Sequence, residues 1–148
     1  MAATESGPPP NARPVLPGCF PTGRSAVADK VAQRYWLCED GVAITDRLPM
    51  TTGGVAYALP LVGTYTVFSR QRYGRGLHGE VLNYFVAFYR TPRGNRIGFH
   101  EVVNQDPSTV GDLERRGSSA GCFRVLGDDA LTIWNHLQHG DHVVVLTP

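Results

Sequence analysis

The sequence predicts one mostly antiparallel β domain, a sandwich or a barrel, with a single helix near its C-terminal end. The chain has 148 residues, which fits one domain, and 42% of them are hydrophobic, which is enough to build a core. Glycine and proline together make up 28 of the 148 residues (17 and 11), a larger share than the ~12% that they usually contribute, so turns are frequent. Between these turns lie short runs rich in β-branched and aromatic residues, which favour strands.

The first predicted element is a β-hairpin that begins at Arg34. The chain reads RYWLC, then Glu-Asp-Gly, then VAITDRLP. An Asp-Gly pair between two apolar runs is a strong hairpin signal, because glycine adopts a positive φ without steric cost. The residues TTGG at 51–54 then predict a loop.

The middle of the chain predicts two more strands and a second hairpin. GTYTVF at 63–68 predicts a strand, whereas residues 69–79 hold three Arg, three Gly and one His and predict an exposed loop. VLNYFVAFY at 81–89 is the strongest strand signal in the chain. The turn TPRGN then leads into RIGFHEVV, so the second hairpin carries His100.

The last part of the chain predicts a long loop, a helix and a final strand. Residues 103–121 are polar and contain Gly and Ser, and loops of such length in compact domains are usually functional or disordered. A helix follows, because apolar residues recur at i, i+3, i+4 and i+7, with acidic residues in the first turn and histidines near the end. Its apolar positions are Ala130, Ile133, Trp134 and Leu137. Residues 143–146 predict the final strand.

Residues 1–18 predict a proline-rich, disordered linker that precedes the folded domain at 19–148. Six of the eleven prolines lie within the first 21 residues. The linker has neither the basic region nor the apolar region of a signal peptide, although such linkers often follow a signal peptide or a membrane anchor. No apolar run approaches the ~18 residues that a transmembrane helix needs.

The charge of the chain argues against a strongly basic nucleic-acid-binding protein. It has 14 Lys and Arg against 13 Asp and Glu, a formal net charge of +1. Arginines are interleaved with tyrosines between Arg70 and Arg96, a pattern that could stack on single-stranded nucleic acid. Because the net charge is balanced, solvated arginines on a strand face explain the pattern better, and we predict no nucleic-acid partner.

The three cysteines predict either one disulfide and one free thiol, or three reduced thiols. In an exported protein an odd count suggests a bridge plus a free thiol, and Cys19 with Cys38 would be the pair. Such a bridge would contribute roughly 3 kcal/mol. In a cytosolic protein all three thiols would stay reduced and buried. Cys122 differs from the other two, because small residues surround it instead of apolar ones.

A nucleophilic cysteine is the most informative chemical signal in the sequence. Cys122 follows Gly-Ser-Ser-Ala-Gly, so it is expected in an accessible turn where the backbone N–H groups of Gly121 and Cys122 could bind an oxyanion. A thiol needs a base to form the thiolate, and His100, at the end of a core strand, is the candidate. The alternative is an unreactive cysteine in a tight turn.

The histidines near the end of the chain give only a weak metal signal. His136, His139 and His142 are spaced by three, but the first two end a helix and the third begins a strand. Basic residues at a helix C-terminus are favoured by the helix dipole, so we predict no metal.

These residues together resemble the L,D-transpeptidases of bacterial cell-wall peptidoglycan, the YkuD-type domain. That family has an upstream His, a loop, a Ser-His-Gly-Cys run with a hydrophobic residue and Arg or Asn, a helix and a final strand. Here His100, SAGCFR at 119–124, the helix and HVVV at 142–145 match in order and spacing. AQRYWLCEDGVAITDRLPMTTG is similar to the family's opening hairpin, and NYF at 83–85 to the strand before its catalytic His. The resemblance covers roughly residues 30–147.

The resemblance implies a catalytic domain that acts outside the cytoplasm, whether secreted, periplasmic or cell-wall associated. Cys122 would attack the carbonyl that precedes D-alanine in a peptidoglycan stem peptide, and His100 would take the thiol proton. A backbone carbonyl near Glu101 would orient the imidazole. A side-chain amine of a second stem would then resolve the thioester into an L,D cross-link. The reaction needs no metal or organic cofactor, and carbapenem-type β-lactams are the expected inhibitors.

The resemblance also implies the substrate contacts, for which Ser119, Arg124 and Tyr84 are the candidates. The sequence departs from the family at two places. Ala120 stands where the family usually has His, and Leu61-Val62-Gly63 stands where it has Thr-Pro-Thr-Gly. These departures support a rival interpretation, a non-catalytic cell-wall-binding module on the same fold. An L,D-carboxypeptidase, with water replacing the amine, is the other alternative.

Overall fold

The computed structural model describes residues 15–53, 59–76, 78–103 and 121–148, which form two β-sheets and one helix. The first sheet has six strands: β1 (Arg24–Asp29), β2 (Arg34–Glu39), β3 (Val42–Ala43), β4 (Leu48–Pro49), β5 (Gly63–Thr66) and β10 (His142–Thr147). Its order is β3-β2-β1-β10-β5, and β4 also pairs with β2. Only β1 and β10 run parallel among these pairs.

The second sheet has four strands in the order β6-β7-β8-β9. They are β6 (Ser69–Arg75), β7 (Val81–Arg90), β8 (Arg96–Glu101) and β9 (Phe123–Val125). The first two pairs are antiparallel, whereas β8 and β9 run parallel. The helix α1 (Gly127–His136) follows β9 and leads into β10.

The predicted fold class is confirmed, with a sandwich in place of a barrel. The described strands are mostly antiparallel, one helix lies near the C-terminal end, and the two sheets do not close on each other. The predicted hairpin turn has φ of +50° at Asp40 and +83° at Gly41, which matches the sign that a two-residue hairpin turn needs. The predicted strand at 81–89, the helix and the final strand are also present.

The exposed loop predicted at 69–79 is wrong over its first part, because residues 69–75 form strand β6. This strand lies at the edge of the second sheet and pairs with β7 from Ser69, opposite Ala87, to Arg75, opposite Val81. Its side chains are polar and mostly exposed or half-buried, so the run lacks the apolar alternation that marks a strand in sequence. The short strands β1 and β9 are not predicted from the sequence either.

The main core lies between the two sheets and includes one face of the helix. Side chains alternate along each strand, so every second residue enters this core. From the first sheet, Ala26, Leu37 and Val143 enter it, and from the second sheet Phe99 and Phe123. The helix contributes Ala130, Ile133 and Leu137, the positions that its periodicity predicts.

A smaller apolar cluster covers the outer face of the first sheet. It contains Val27, Trp36 and Cys38 from the strands, and Leu16 packs against it from the start of the described chain. Trp36 donates its indole N–H to the carbonyl oxygen of Pro17 at 3.0 Å. Leu16 and Pro17 of the predicted linker therefore contact the domain, and residues 1–14 lie outside the described residues.

The predicted disulfide between Cys19 and Cys38 is present, and Cys122 is a free thiol. The bridge joins the N-terminal segment to β2 within this smaller cluster. Among the described residues, no helix is long and apolar enough to cross a membrane.

Candidate active site

The parallel pairing of β8 and β9 brings His100 and Cys122 to one face of the second sheet. His100 lies opposite Arg124, and Phe99 lies opposite Phe123. Because Phe99 and Phe123 point into the main core, the alternating residues His100 and Arg124 point to the outer face. Cys122 directly precedes β9 and is two residues before Arg124, so it lies on this same face.

Glycine at position 98 allows the close approach of β7 and β8 at this point. A Cβ atom there would lie 2.1 Å from the carbonyl oxygen of Val86, a distance that no side chain tolerates. Gly98 is two residues before His100 and so shares its face. His100 therefore lies on a strand that can approach β7 this closely only because residue 98 has no side chain.

The outer face of the second sheet contains a cavity of about 370 Å³ in which both groups are found. Its lining combines cationic, acidic and apolar side chains with several turn residues. The lining residues are Arg75, Gly76, His78, Glu80, Leu82, Phe85, Gly94, Asn95, Arg96, Ile97, His100, Val103, Cys122 and Arg124.

The orientation of His100 is fixed by its own neighbour in the chain. Its Nδ1 lies 2.6 Å from the carbonyl oxygen of Glu101. A carbonyl only accepts hydrogen bonds, so Nδ1 carries the proton and Nε2 keeps its lone pair. The ring of Phe85 contacts the imidazole edge-on, with the centroids 6.0 Å apart. His100 is therefore held in the tautomer that a base at Nε2 requires.

Burial keeps both reacting groups neutral. Burial, together with the positive charge of Arg124, lowers the pKa of His100 to about 4. Burial also raises the pKa of the Cys122 thiol to about 11, against the opposing effects of the Gly98 backbone and of Arg124. At neutral pH the free site therefore holds a thiol and a neutral imidazole, without a preformed thiolate–imidazolium pair.

The thiol of Cys122 donates a long hydrogen bond to the carbonyl oxygen of Arg96, with 3.8 Å from sulfur to oxygen. The residue before it, Gly121, has φ of +115° and is buried, and a Cβ there would lie 2.7 Å from the side chain of Ile97. Position 121 thus requires glycine for both conformation and space. This sharp turn presents the half-buried thiol to the cavity.

The other predicted substrate-contact residues are Arg124, Tyr84 and Ser119. Arg124 lines the cavity beside Cys122. Tyr84 is not among the described residues that line it. Its ring packs against Trp134 at 5.9 Å, and the guanidinium of Arg72 lies over it at 3.9 Å. Ser119 lies outside the described residues, as does Ala120.

Sequence reasoning missed three charged residues that line the cavity, Glu80, Arg75 and Arg96. Arg75 belongs to the exposed loop predicted at 69–79 and Glu80 follows that loop, and no local pattern distinguishes them from ordinary surface charges. The pairing of β6 with β7 carries that turn to the cavity.

The three C-terminal histidines take separate partners. Nε2 of His136 lies 2.9 Å from the carbonyl oxygen of Cys38, and Nε2 of His139 lies 2.9 Å from that of Phe68. The ring of His142 stacks on Phe20. Within the described part of the chain, no cluster of three His, Cys, Asp or Glu side chains could hold a metal ion.

Comparison with known protein families assigns this chain to a family. The family model for the L,D-transpeptidase catalytic domain, YkuD, matches residues 16–145. The chain belongs to this family. The resemblance predicted from His100 and the SAGCFR run is thereby confirmed. A comparison with curated protein sequences gave no significant match.

Solved L,D-transpeptidases have the same fold. One from Stackebrandtia nassauensis is 25% identical with a TM-score of 0.69, and the match covers 86% of this chain and 58% of that one. One from Mycobacterium tuberculosis H37Rv is also 25% identical, with a TM-score of 0.65 and coverage of 83% and 57%. L,D-transpeptidase 3 from Mycobacterium tuberculosis, with a faropenem-derived adduct, is 23% identical, with a TM-score of 0.63 and coverage of 84% and 60%. The chain thus spans less than two thirds of each of these solved proteins.

Proposed function

We propose that this chain is a peptidoglycan L,D-transpeptidase, a cysteine acyltransferase that releases D-alanine from a stem tetrapeptide and forms an L,D cross-link. One observation carries the proposal. Cys122 and His100 line the same cavity, and the 2.6 Å contact of His100 with Glu101 leaves Nε2 as the unprotonated nitrogen. Nucleophile, base and orienting group are the three parts of a nucleophilic acyl-transfer site.

In the first half-reaction the thiol of Cys122 attacks the carbonyl carbon that joins an L-centred diamino-acid carbon to D-alanine. Because both groups are neutral at rest, His100 takes the thiol proton during the attack, as a general base. The S–H bond, which points to the Arg96 carbonyl at rest, first has to turn toward Nε2. The backbone N–H groups of Gly121 and Cys122 are the proposed donors to the oxyanion.

The protonated His100 then gives its proton to the leaving amine of D-alanine, and the thioester remains on Cys122. In the second half-reaction, a side-chain amine of another stem attacks the thioester and the cysteine is released. The N–C bond forms as the C–S bond breaks, and the sulfur recovers a proton through His100. Each step uses groups of this chain and the two stem peptides only.

Arg124 is the proposed contact for a carboxylate of the donor stem, because it lines the cavity beside the nucleophile. A guanidinium binds a carboxylate through two parallel hydrogen bonds, which adds direction to the charge attraction. Ser119 is kept as a proposed backbone contact of the donor. Tyr84 is better explained by its packing against Trp134 than by substrate binding.

An extracytoplasmic location is part of the proposal. The Cys19–Cys38 disulfide fits an oxidising compartment, where such bonds persist. The substrate of the family is peptidoglycan, which lies outside the cytoplasmic membrane. Both considerations point to the secreted, periplasmic or wall-associated side of the cell.

Acylation by a carbapenem tests the nucleophile directly. Among the fold neighbours, L,D-transpeptidase 3 of Mycobacterium tuberculosis has a faropenem-derived adduct and another L,D-transpeptidase is in complex with imipenem. After incubation with imipenem, intact-mass spectrometry of this protein is expected to find one adduct per chain, located on Cys122 by peptide mapping. Cys122→Ser is expected to give none, while the Cys19–Cys38 pair stays unmodified.

The alternatives give different results in the same series. A folded protein with no imipenem adduct would favour the non-catalytic wall-binding module. An adduct followed by hydrolysis alone, with a stem tetrapeptide yielding tripeptide and no cross-linked product, would identify an L,D-carboxypeptidase. Formation of the cross-linked dimer identifies the transpeptidase.

A further inference from the structure

The cavity around Cys122 is asymmetric in charge. Three arginines line it, Arg75, Arg96 and Arg124, whereas Glu80 is the only carboxylate among the described residues of its lining. The cavity therefore offers several contacts to an anion and one to a cation. The two substrates of the proposed reaction differ in the charge near their reacting groups. The donor stem reacts at a carbonyl group beside a carboxylate, whereas the acceptor stem reacts through an amine.

The carboxylate of Glu80 is held in place by the turn that it closes. Its Oε1 accepts the backbone N–H of His78 at 2.9 Å, and its own carbonyl oxygen accepts the N–H of Gly76 at 2.8 Å. A Cβ on Gly76 would lie 2.3 Å from Cδ of Glu80, so the carboxylate packs against bare backbone there. These contacts hold the carboxylate at the cavity wall.

Glu80 lines the same cavity as His100 and Cys122, and its negative charge acts weakly on both groups. It opposes the lowering of the His100 pKa and adds to the raising of the Cys122 pKa. The backbone hydrogen bonds that Glu80 accepts lower its own pKa. Glu80 is therefore an anion at neutral pH, inside a site that otherwise favours anionic ligands.

The acceptor of the proposed transfer is a primary amine with an ordinary pKa near ~10.4, so it arrives as an ammonium cation. The arginines of the cavity repel this cation, and they attract the carboxylates of the donor. A single fixed carboxylate within reach of the thioester would draw the ammonium group to the reacting carbon. Without it, water would compete more effectively for the acyl-enzyme.

We propose that Glu80 is a specificity-determining residue that binds the ammonium group of the acceptor stem peptide and so favours cross-linking over hydrolysis. This inference rests on the proposed function. The ammonium loses one proton before the attack, because only the free amine has the lone pair that forms the N–C bond, and it loses a second as the C–S bond breaks. One of them returns to the sulfur of Cys122 through His100, and the other leaves to solvent past the carboxylate of Glu80.

The test is Glu80→Gln, which keeps an acceptor for the N–H of His78 and removes the charge. A stem tetrapeptide serves as acyl donor and a stem tripeptide ending in a diamino acid serves as acceptor. The ratio of cross-linked to hydrolysed product is measured against acceptor concentration. The variant is expected to raise the KM for the acceptor about fivefold and to change the rate of imipenem acylation by a smaller factor, because Glu80 acts only weakly on Cys122 and His100. Added salt should raise the acceptor KM of the wild type relative to that of the variant, because only the wild type has the attraction of Glu80 to lose by screening.

Two further variants separate charge from structure. Glu39→Gln removes the same charge from β2, in the other sheet, and is expected to behave as the wild type. Glu80→Asp retains the charge and is expected to keep most of the preference for the amine.

The proposal fails if Glu80→Gln leaves the acceptor KM within twofold of the wild type. It also fails if the rate of imipenem acylation falls in parallel, because Glu80 would then only hold the turn. A wild-type acyl-enzyme that hydrolyses without forming cross-links overturns the role of Glu80 and leaves the nucleophile intact. A wild type that forms no imipenem adduct overturns the proposed function itself.

Discussion

The outer faces of the two sheets differ in what covers them, although the inner faces of both sheets share one core. The outer face of the first sheet is apolar, with Val27, Trp36 and Cys38, and the N-terminal segment covers it through Leu16 and a disulfide. The outer face of the second sheet carries His100 and Arg124 and opens into the cavity. The comparison separates stability from chemistry. A covered apolar face contributes burial, whereas an uncovered face with buried polar groups provides a site for a ligand.

The surroundings of Cys38 and Cys122 differ in the same way. Cys38 is fully buried and bonded to Cys19, which makes it chemically inert and structurally useful. Cys122 is half-buried, free and next to an imidazole in the cavity. If the comparison is right, changes on the first face alter stability and changes on the second alter activity.

The largest expected effect is on the second face, at the base. His100→Ala is expected to lower the rate of imipenem acylation at pH 7 by about 10²- to 10⁴-fold, because the thiol stays protonated without a base. Stopped-flow or time-resolved intact-mass measurements give the rate. His139→Ala, which changes an exposed histidine that is not among the cavity's described lining, is the control. Acylation of His100→Ala at the wild-type rate would make His100 a structural residue only.

On the first face, removal of the disulfide is expected to lower the free energy of unfolding by about 3 kcal/mol, as expected for a bridge closing a loop of this length. The double variant Cys19→Ala with Cys38→Ala, followed by urea denaturation, measures the change. The rate of imipenem acylation is expected to stay the same, because the bridge lies in the other sheet.

Thiol titration of the denatured, unreduced wild type should find one free group. Three free groups would contradict the bridge, and a slower acylation in the double variant would contradict the independence of the two faces.

The acid stability of the protein is expected to reflect the buried base. Burial lowers the pKa of His100 to about 4, below its ordinary value near 6.5, so between these pH values the unfolded chain binds a proton that the folded chain does not. Acidification therefore favours unfolding. Protonation of His100 in the unfolded chain lowers the free energy of unfolding by about 3 kcal/mol at pH 4.

Urea denaturation of the wild type and of His100→Gln at pH 7 and at pH 4 measures this contribution as a difference between the two proteins. The variant should lose less stability on acidification. An equal loss in both would mean that His100 is solvated, and the neutral resting pair would then be wrong.

The smallest of these effects is expected at the substrate contact. Arg124→Gln should raise the KM for the donor tetrapeptide by about tenfold with a small change in kcat, because it removes a charged hydrogen-bond donor from the cavity. Arg93→Gln removes the same charge from an exposed position that is not among the described lining residues. Equal KM values in the two variants would exclude Arg124 as a donor contact.

The sequence alone determined the elements whose signal is local. The Asp40-Gly41 turn needs positive φ, which only a few residue types accept, and the helix repeats its apolar residues at the period of a helix. The family resemblance is also local in this sense, because the SAGCFR run and His100 can be recognised in order along the chain. The cysteine count left a Cys19–Cys38 bridge and three reduced thiols as alternatives, and the structure contains the bridge.

The tertiary structure alone decided what depends on residues distant in the sequence. Strand β6 forms because β7 offers a partner, and its arginine-rich sequence has no strand periodicity of its own. Tyr84 lies in an apolar run, yet its φ of +55° and its contact with Trp134 direct it away from a role in the cavity. The neutral state of His100 and Cys122 has the same origin, because desolvation is set by everything that packs around a group and not by its neighbours along the chain.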